Sequence, residues 1–223
     1  MYLPPDGARI DRPDGTMRNR PSASHPIRPR DGKSRYRVSM MEIHPATPDR
    51  WPDLEQLFGP NGAYSGCWCM WWRVSNREFE SQAGSGLRSL LKERVDHGPV
   101  PGLLAYRNGE AVGWVSLGDR SEFGRLNRSP KLKPTDERRA CSVVCFFIRR
   151  DQRRSGAASA LLDGAVEVAR TRGYDQIEGY PIDTSARARG AAELFTGTLD
   201  LFERAGFVET LRRGGRPIVR RQP

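Results

Sequence analysis

The sequence predicts an α/β fold of the α+β kind: a mixed, mostly antiparallel central sheet of about six or seven strands, flanked by helices. Three stretches carry that expectation. Residues 143–148 (V-V-C-F-F-I) form an unbroken apolar run rich in β-branched and aromatic side chains, which suits a strand buried on both faces. Just after it, Ala158, Leu161, Leu162, Ala165 and Ala169 share one helical face and Asp163, Glu167 and Arg170 another. Gly173 supplies the stop. Upstream, apolar runs at 103–106 and 111–117 flank R107-N-G-E110, and Asn-Gly is a strong hairpin signal.

Taken in order, residues 38–43 form a first strand. Thr47 is placed to cap a short helix with Pro48 at its first position, and Trp51, Leu54 and Leu57 give its apolar stripe as far as Gly59. Residues 64–73 (Y-S-G-C-W-C-M-W-W-R) hold three tryptophans in five residues, too much apolar area to leave in water. They form either a core plug or the aromatic wall of a pocket. Leu87, Leu90, Leu91 and Val95 define a second helix closed by Gly98, and 119–139 reads as a polar, basic loop. Residues 176–182 form a strand with Glu178, Tyr180 and Ile182 on one face, and 185–197 a small-residue loop. Leu199, Phe202 and Ala205 line a last helix ended by Gly206. Strands at 207–211 and 218–220, joined through Gly214-Gly215, close the sheet.

At 223 residues the chain can bury one sizeable core, assigned here to a single domain at 38–223. The formal charge of +10 is uneven: residues 1–37 carry nine Lys or Arg against four Asp, a net +5. Rich in Pro, Gly, Ser and Arg and without apolar periodicity, this segment is read as a disordered basic extension. It lacks the apolar core of a secretory signal, and no stretch reaches the ~20 apolar residues that span a bilayer. The four cysteines (Cys67, Cys69, Cys141, Cys145) match no usual zinc spacing, and His25, His44 and His97 are isolated, so no metal is expected. Reduced thiols point to the cytoplasm.

The turn at 153–158 carries the first chemistry. A buried strand, a glycine-bearing turn and a helix start present partnerless amides and positive dipole potential, which suit a phosphate. Gly156 lets a bulky group approach the backbone, Ala158 stays small, and Arg153 and Arg154 can add charge-assisted bonds. A plain solvated basic turn is the alternative.

R153-x-x-G156-x-A158 after an apolar strand resembles the acetyl-CoA pyrophosphate loop of the GCN5-related N-acetyltransferase (GNAT) superfamily. L199-D-L-F-E-R-A-G-F207 is similar to the helix-glycine-phenylalanine segment near the end of such domains, and the likeness covers roughly residues 38–221. It implies the acyl-CoA N-acyltransferase fold with a splayed sheet, acetyl-CoA as donor, and direct transfer to a primary amine of a small molecule or protein in a ternary complex. It further implies main-chain contacts from Phe146 and Ile148 to the pantetheine arm, and a main-chain amide near Phe146 or Phe147 that polarises the thioester carbonyl. The pyrophosphate cradle is Arg153, Arg154, Ser155, Gly156, Ala157, Ala158 and Ser159. Tyr64, Trp68 and Trp71 fall on the substrate side, with Arg73 able to face an anionic group.

An alkylamine must lose a proton before it attacks. Glu178 and Asp183 are the acids suggested for this, Glu178 being preferred. Phe202 stands where many relatives carry a tyrosine that protonates the leaving thiolate, so Tyr180 or a water would replace that acid. Two other readings stay open. One is a noncatalytic acyl-CoA-binding or regulatory module on the same fold. The other, ranked last because the basic residues are not interleaved with stacking aromatics, is a nucleic-acid-binding protein. Acceptor identity and acyl-chain length are not fixed by the sequence, nor is oligomeric state, a homodimer being one option.

Overall fold

The computed structural model describes residues 41–223 apart from Thr135, Ala186, Ala188 and Ala191. The basic segment 1–37 and the predicted start of the first strand at 38–40 lie outside the described residues. The strands are β1 (Glu42–Pro45), β2 (Gly102–Arg107), β3 (Glu110–Asp119), β4 (Ala140–Ile148), β5 (Gln176–Gly179), β6 (Val208–Arg213) and β7 (Arg216–Arg221). They form one sheet in the order β1-β2-β3-β4-β5-β7-β6. Every neighbouring pair is antiparallel except β4 and β5, which run parallel.

The helices are α1 (Trp51–Phe58), α2 (Asn76–Ser81), α3 (Ser85–His97), α4 (Gly124–Arg128), α5 (Ala157–Thr171) and α6 (Leu199–Arg204). Thr47 and Pro48 open a 3₁₀ turn ahead of α1. The Thr47 hydroxyl caps no backbone amide there and instead accepts from Arg50 Nη1 at 3.0 Å. Two helices were not expected. Short α2 begins with a reciprocal box in which Ser75 accepts from the Glu78 amide and Glu78 from the Ser75 amide. α4 lies inside the stretch read as loop, after a matching Asp119–Glu122 box.

Each face of the sheet carries its own core. On one, α5 lays Leu161, Leu162, Ala165 and Ala169 over Leu103, Val115, Leu117, Val143 and Ile177. On the other, α1, α3 and the tryptophan-rich segment cover Leu104, Trp114 and Val144. β4 is buried on both sides, as its unbroken apolar run requires.

The feature that positions the site is where β4 and β5 part. Their ladder runs from Ala140↔Gln176 to Val143↔Gly179 and stops, while β4 continues to Ile148 beside β3. β5 is therefore shorter than the predicted 176–182. Pro181 has no amide to give a ladder, so the chain leaves the sheet after Gly179. Gly179 itself sits beneath an aromatic ring, since an added Cβ would lie 2.2 Å from Phe202 Cε1.

Candidate active site

At the end of β4 the chain makes a short turn and enters α5, whose N-cap is Gly156 with φ 88°. That left-handed conformation favours glycine. An added Cβ there would meet no atom within 4 Å, so the approach to the first-turn amides is open. α5 begins at Ala157, two residues earlier than the helical pattern indicated, and this brings the amides of Ala157, Ala158 and Ser159 to the turn. The turn is held from outside by Arg107, a residue sequence reasoning missed. Arg107 donates to Gln152 Oε1 (3.1 Å) and to the Ser155 carbonyl (3.0 Å). The Ser155 hydroxyl is turned back onto the Gln152 carbonyl at 2.5 Å.

A cavity of about 1280 Å³ starts at this turn, where Arg153, Arg154 and residues 156–159 line it. It follows the free edge of β4 past Phe146, Phe147 and Ile148, with Leu194, Phe195, Gly197, Thr198 and Leu201 opposite. Phe146 N–H points across that edge and donates to the Phe195 carbonyl at 2.6 Å. By the two-residue period of a strand, Ile148 N–H faces the same way. Among the described residues no strand pairs with this edge beyond Val143, and Phe195 bonds one of the two amides expected to meet the pantetheine arm. A diphosphate, an extended amide chain and a thioester fit this succession of amide-lined turn, strand edge and apolar end.

At the far end the tryptophan-rich segment divides its roles. Trp68 is core: it stacks on Trp51 (6.0 Å between ring centroids) and meets Phe58 edge-on. Tyr64 and Trp71, 64 % and 40 % exposed, line the cavity, as do Trp72, Phe79 and Cys67. Arg73 does not face an acceptor. It donates to Glu122 at 2.5 Å and to the Leu117 carbonyl at 2.9 Å, lies over the Phe123 ring, and is buried enough to be pushed down to about 10, so it stays protonated at neutral pH.

The suggested acids also lie elsewhere. Glu178 is 1 % exposed, with its carboxylate between Arg120 and Arg220. Tyr180, fully buried, donates to Glu178 Oε2 at 2.8 Å, meets Ser142 Oγ at 2.8 Å and accepts from Arg120 at 2.6 Å. Burial first, and then the Glu178 charge, push its phenol well above the usual value. The expectation that β5 would aim Glu178 into the cleft is corrected: Glu178 lies where β5 is still paired on both edges, and its side chain turns onto the two arginines. Asp183 accepts from the Ser185 amide, a bond that with Arg212 holds its carboxyl down to about 2. None of the three lines the cavity.

Phe202 is likewise core, set edge-on against Phe146 (6.1 Å) and Phe207 (5.0 Å). Phe202 is fully buried, so a hydroxyl there would be taken out of water into an apolar cluster. Phe202→Tyr is expected to lower stability by about 1–3 kcal/mol with no gain in turnover. Thermal melts paired with thiol-release rates check this; faster turnover at an unchanged melting temperature would place the ring in the cavity instead.

A glycine-capped helix start opens beside the unpaired end of β4, and one cavity joins the two. The model of the acetyltransferase (GNAT) family matches residues 68–207, more than half of the chain, and the chain belongs to that family. The family is one of acetyltransferases. Solved structures are similar to the chain at low identity. The PaiA N-acetyltransferase of Thermoplasma acidophilum, in complex with coenzyme A, is 12 % identical, with 82 % of this chain and 99 % of that one covered at a TM-score of 0.47. The GNAT domain of S. lividans PAT is 20 % identical (81 % and 89 % covered, TM-score 0.47). The ribosomal-protein-alanine N-acetyltransferase of Brucella melitensis is 18 % identical (82 % and 99 %, TM-score 0.46). No curated protein matches the chain. Among the described residues, no helix is long and apolar enough to cross a membrane.

Proposed function

We propose that residues 38–223 form a single N-acetyltransferase domain that moves the acetyl group of acetyl-CoA to a primary amine of a small molecule or protein. One observation carries this reading: a single cavity joins the amides of α5, the free edge of β4 and a cluster of aromatic rings. The first-turn amides of α5 and the cations Arg153 and Arg154 hold the diphosphate. The β4 amides at 146 and 148 align the pantetheine arm, with Phe146 N–H exchanging the Phe195 carbonyl for an amide carbonyl of the arm. That places the thioester near the junction of β4 and the aromatic end, where Tyr64, Trp71 and Trp72 shape the acceptor site. Holding both reactants at once contributes on the order of 7–11 kcal/mol of barrier reduction.

No carboxylate lines the aromatic end among the described residues; Asp200, on α6, is paired with Arg204 at 2.6 Å. The acceptor proton therefore leaves to water or to a thiolate, and turnover of an alkylamine rises with pH toward the amine's own pKa. The four free thiols favour the cytoplasm as the compartment.

A thermal-shift and thiol-release screen with acetyl-CoA and longer acyl-CoAs against an amine panel tests the reading. At about 100 times its Kd a ligand stabilises by about 2.7 kcal/mol, or roughly 5–11 °C for a domain of this size. Stabilisation with coenzyme A release in the presence of an amine is the expected result. Stabilisation without release across the panel would favour the noncatalytic acyl-CoA-binding alternative, which the burial of Glu178 and Phe202 keeps in view.

A further inference from the structure

Three of the four cysteines meet at the acceptor end of the cavity. Cys145 lies on β4 two residues past its last pair with β5 and one residue before the amide that faces the open edge, and its Sγ lies 3.3 Å from Cys69 Sγ. Cys67 stands on the same turn as Cys69 and also lines the cavity. The row of sulfurs thus leads from the strand that presents the thioester into the ring-lined end. Its members differ in environment. Cys69 and Cys145 are buried, whereas Cys67 is half-buried. Contact with Cys145 and Cys67, together with burial, pushes the Cys69 thiol well above its usual range, which keeps it protonated. The Cys69 thiol in turn holds Cys67 down to about 6. The contact of Cys67 with the Gly62 carbonyl is long, 3.9 Å, and little is lost when that proton leaves. Cys141 lies apart, in the core beneath α5.

We propose that Cys67 is itself an acetyl acceptor, so that the protein S-acetylates its own thiol in the cavity when no amine is seated. This rests on the reading of the cavity as the acetyl-CoA site. The Cys67 thiolate, having lost its proton to solvent, forms a bond to the acetyl carbon as the bond from that carbon to the coenzyme A sulfur breaks. Coenzyme A leaves as a thiolate and takes a proton from water. One thioester replaces another, nothing is oxidised or reduced, and excess donor drives the step. The thiolate is the reacting form, so the sign is fixed: the rate climbs about tenfold per pH unit below the thiol's pKa and levels above it. The Cys67 value places the bend near pH 6.

The full chain is incubated with acetyl-CoA without amine, and intact mass and peptide mapping are followed over time. Binding of acetyl-CoA is measured in parallel by calorimetry. The expected result is a gain of one acetyl group, removed by hydroxylamine, mapped to Cys67, and bending near pH 6. It should be lost in Cys67→Ser and Cys67→Ala while both still bind acetyl-CoA, and kept in Cys141→Ser. Binding without an adduct at Cys67 overturns the proposal and leaves the acetyltransferase reading standing. So does an adduct formed equally fast in urea-unfolded protein, which would be solution chemistry. Absence of acetyl-CoA binding sinks both.

Discussion

Gly156→Glu is expected to lose acetyl-CoA binding, with affinity falling by about 100-fold or more. The position caps α5 with φ 88°, and a side chain there points into open space where the first-turn amides are reached. Two effects add. A non-glycine residue in that conformation costs on the order of 1–3 kcal/mol. A carboxylate set against a diphosphate costs several kcal/mol more, and each 1.4 kcal/mol is tenfold in affinity. Gly156→Ala separates them: it shares the backbone cost without the charge, so it should lower the melting temperature about as much while weakening binding far less. Calorimetric titration of both variants with acetyl-CoA decides the matter. Normal affinity in the glutamate variant would mean that the phosphates bind elsewhere and that the turn after β4 is only a turn.

The contrast between that turn and the rest of the site shows what kinds of signal a sequence carries. The turn is built from neighbours in the chain, so an apolar strand, a small-residue stretch and a change to helical period announce it; only the helix start moved, to Ala157. The hairpin at Asn108-Gly109 and the closing pair of strands are legible for the same reason. Side chains that meet across long separations are not. Arg107 reaches the turn from 45 and 48 residues away, and Phe195 reaches Phe146 from a loop with no periodicity. α2 and the 3₁₀ turn just ahead of α4 do leave a trace, the Ser75-x-x-Glu78 and Asp119-x-x-Glu122 spacing of capping boxes. The tryptophans could not be sorted by composition. Gly62 and Trp51 bury Trp68, whereas Trp71 stays at the cavity.

Glu178 is where alternation led furthest astray, and it carries the second large prediction. A period of two does place Glu178 and Tyr180 on one face, and their side chains do meet at 2.8 Å. What periodicity could not reveal is that Arg120, from the stretch read as solvated loop, and Arg220 of β7 close on the same carboxylate. Arg220 donates through Nε to Oε1 at 2.7 Å and also reaches Asp136 at 2.6 Å. Arg120 also donates to the Tyr180 hydroxyl and to the Leu132 carbonyl. Glu178 is therefore the anion between two nearly buried cations that tie β5, β7 and the 119–139 segment together. Removing one member of a buried pair costs about 3–5 kcal/mol, because the partners keep their charge without an anion to meet it. Glu178→Gln should thus lower the melting temperature by roughly 6–20 °C. Below that transition, acetyl-CoA affinity and turnover per folded molecule should stay near those of the unaltered protein. A base at this position would give the opposite pattern, an unchanged melt and a collapse in kcat with KM preserved. Finding that pattern would return Glu178 to the chemistry and require β5 to open onto the cleft.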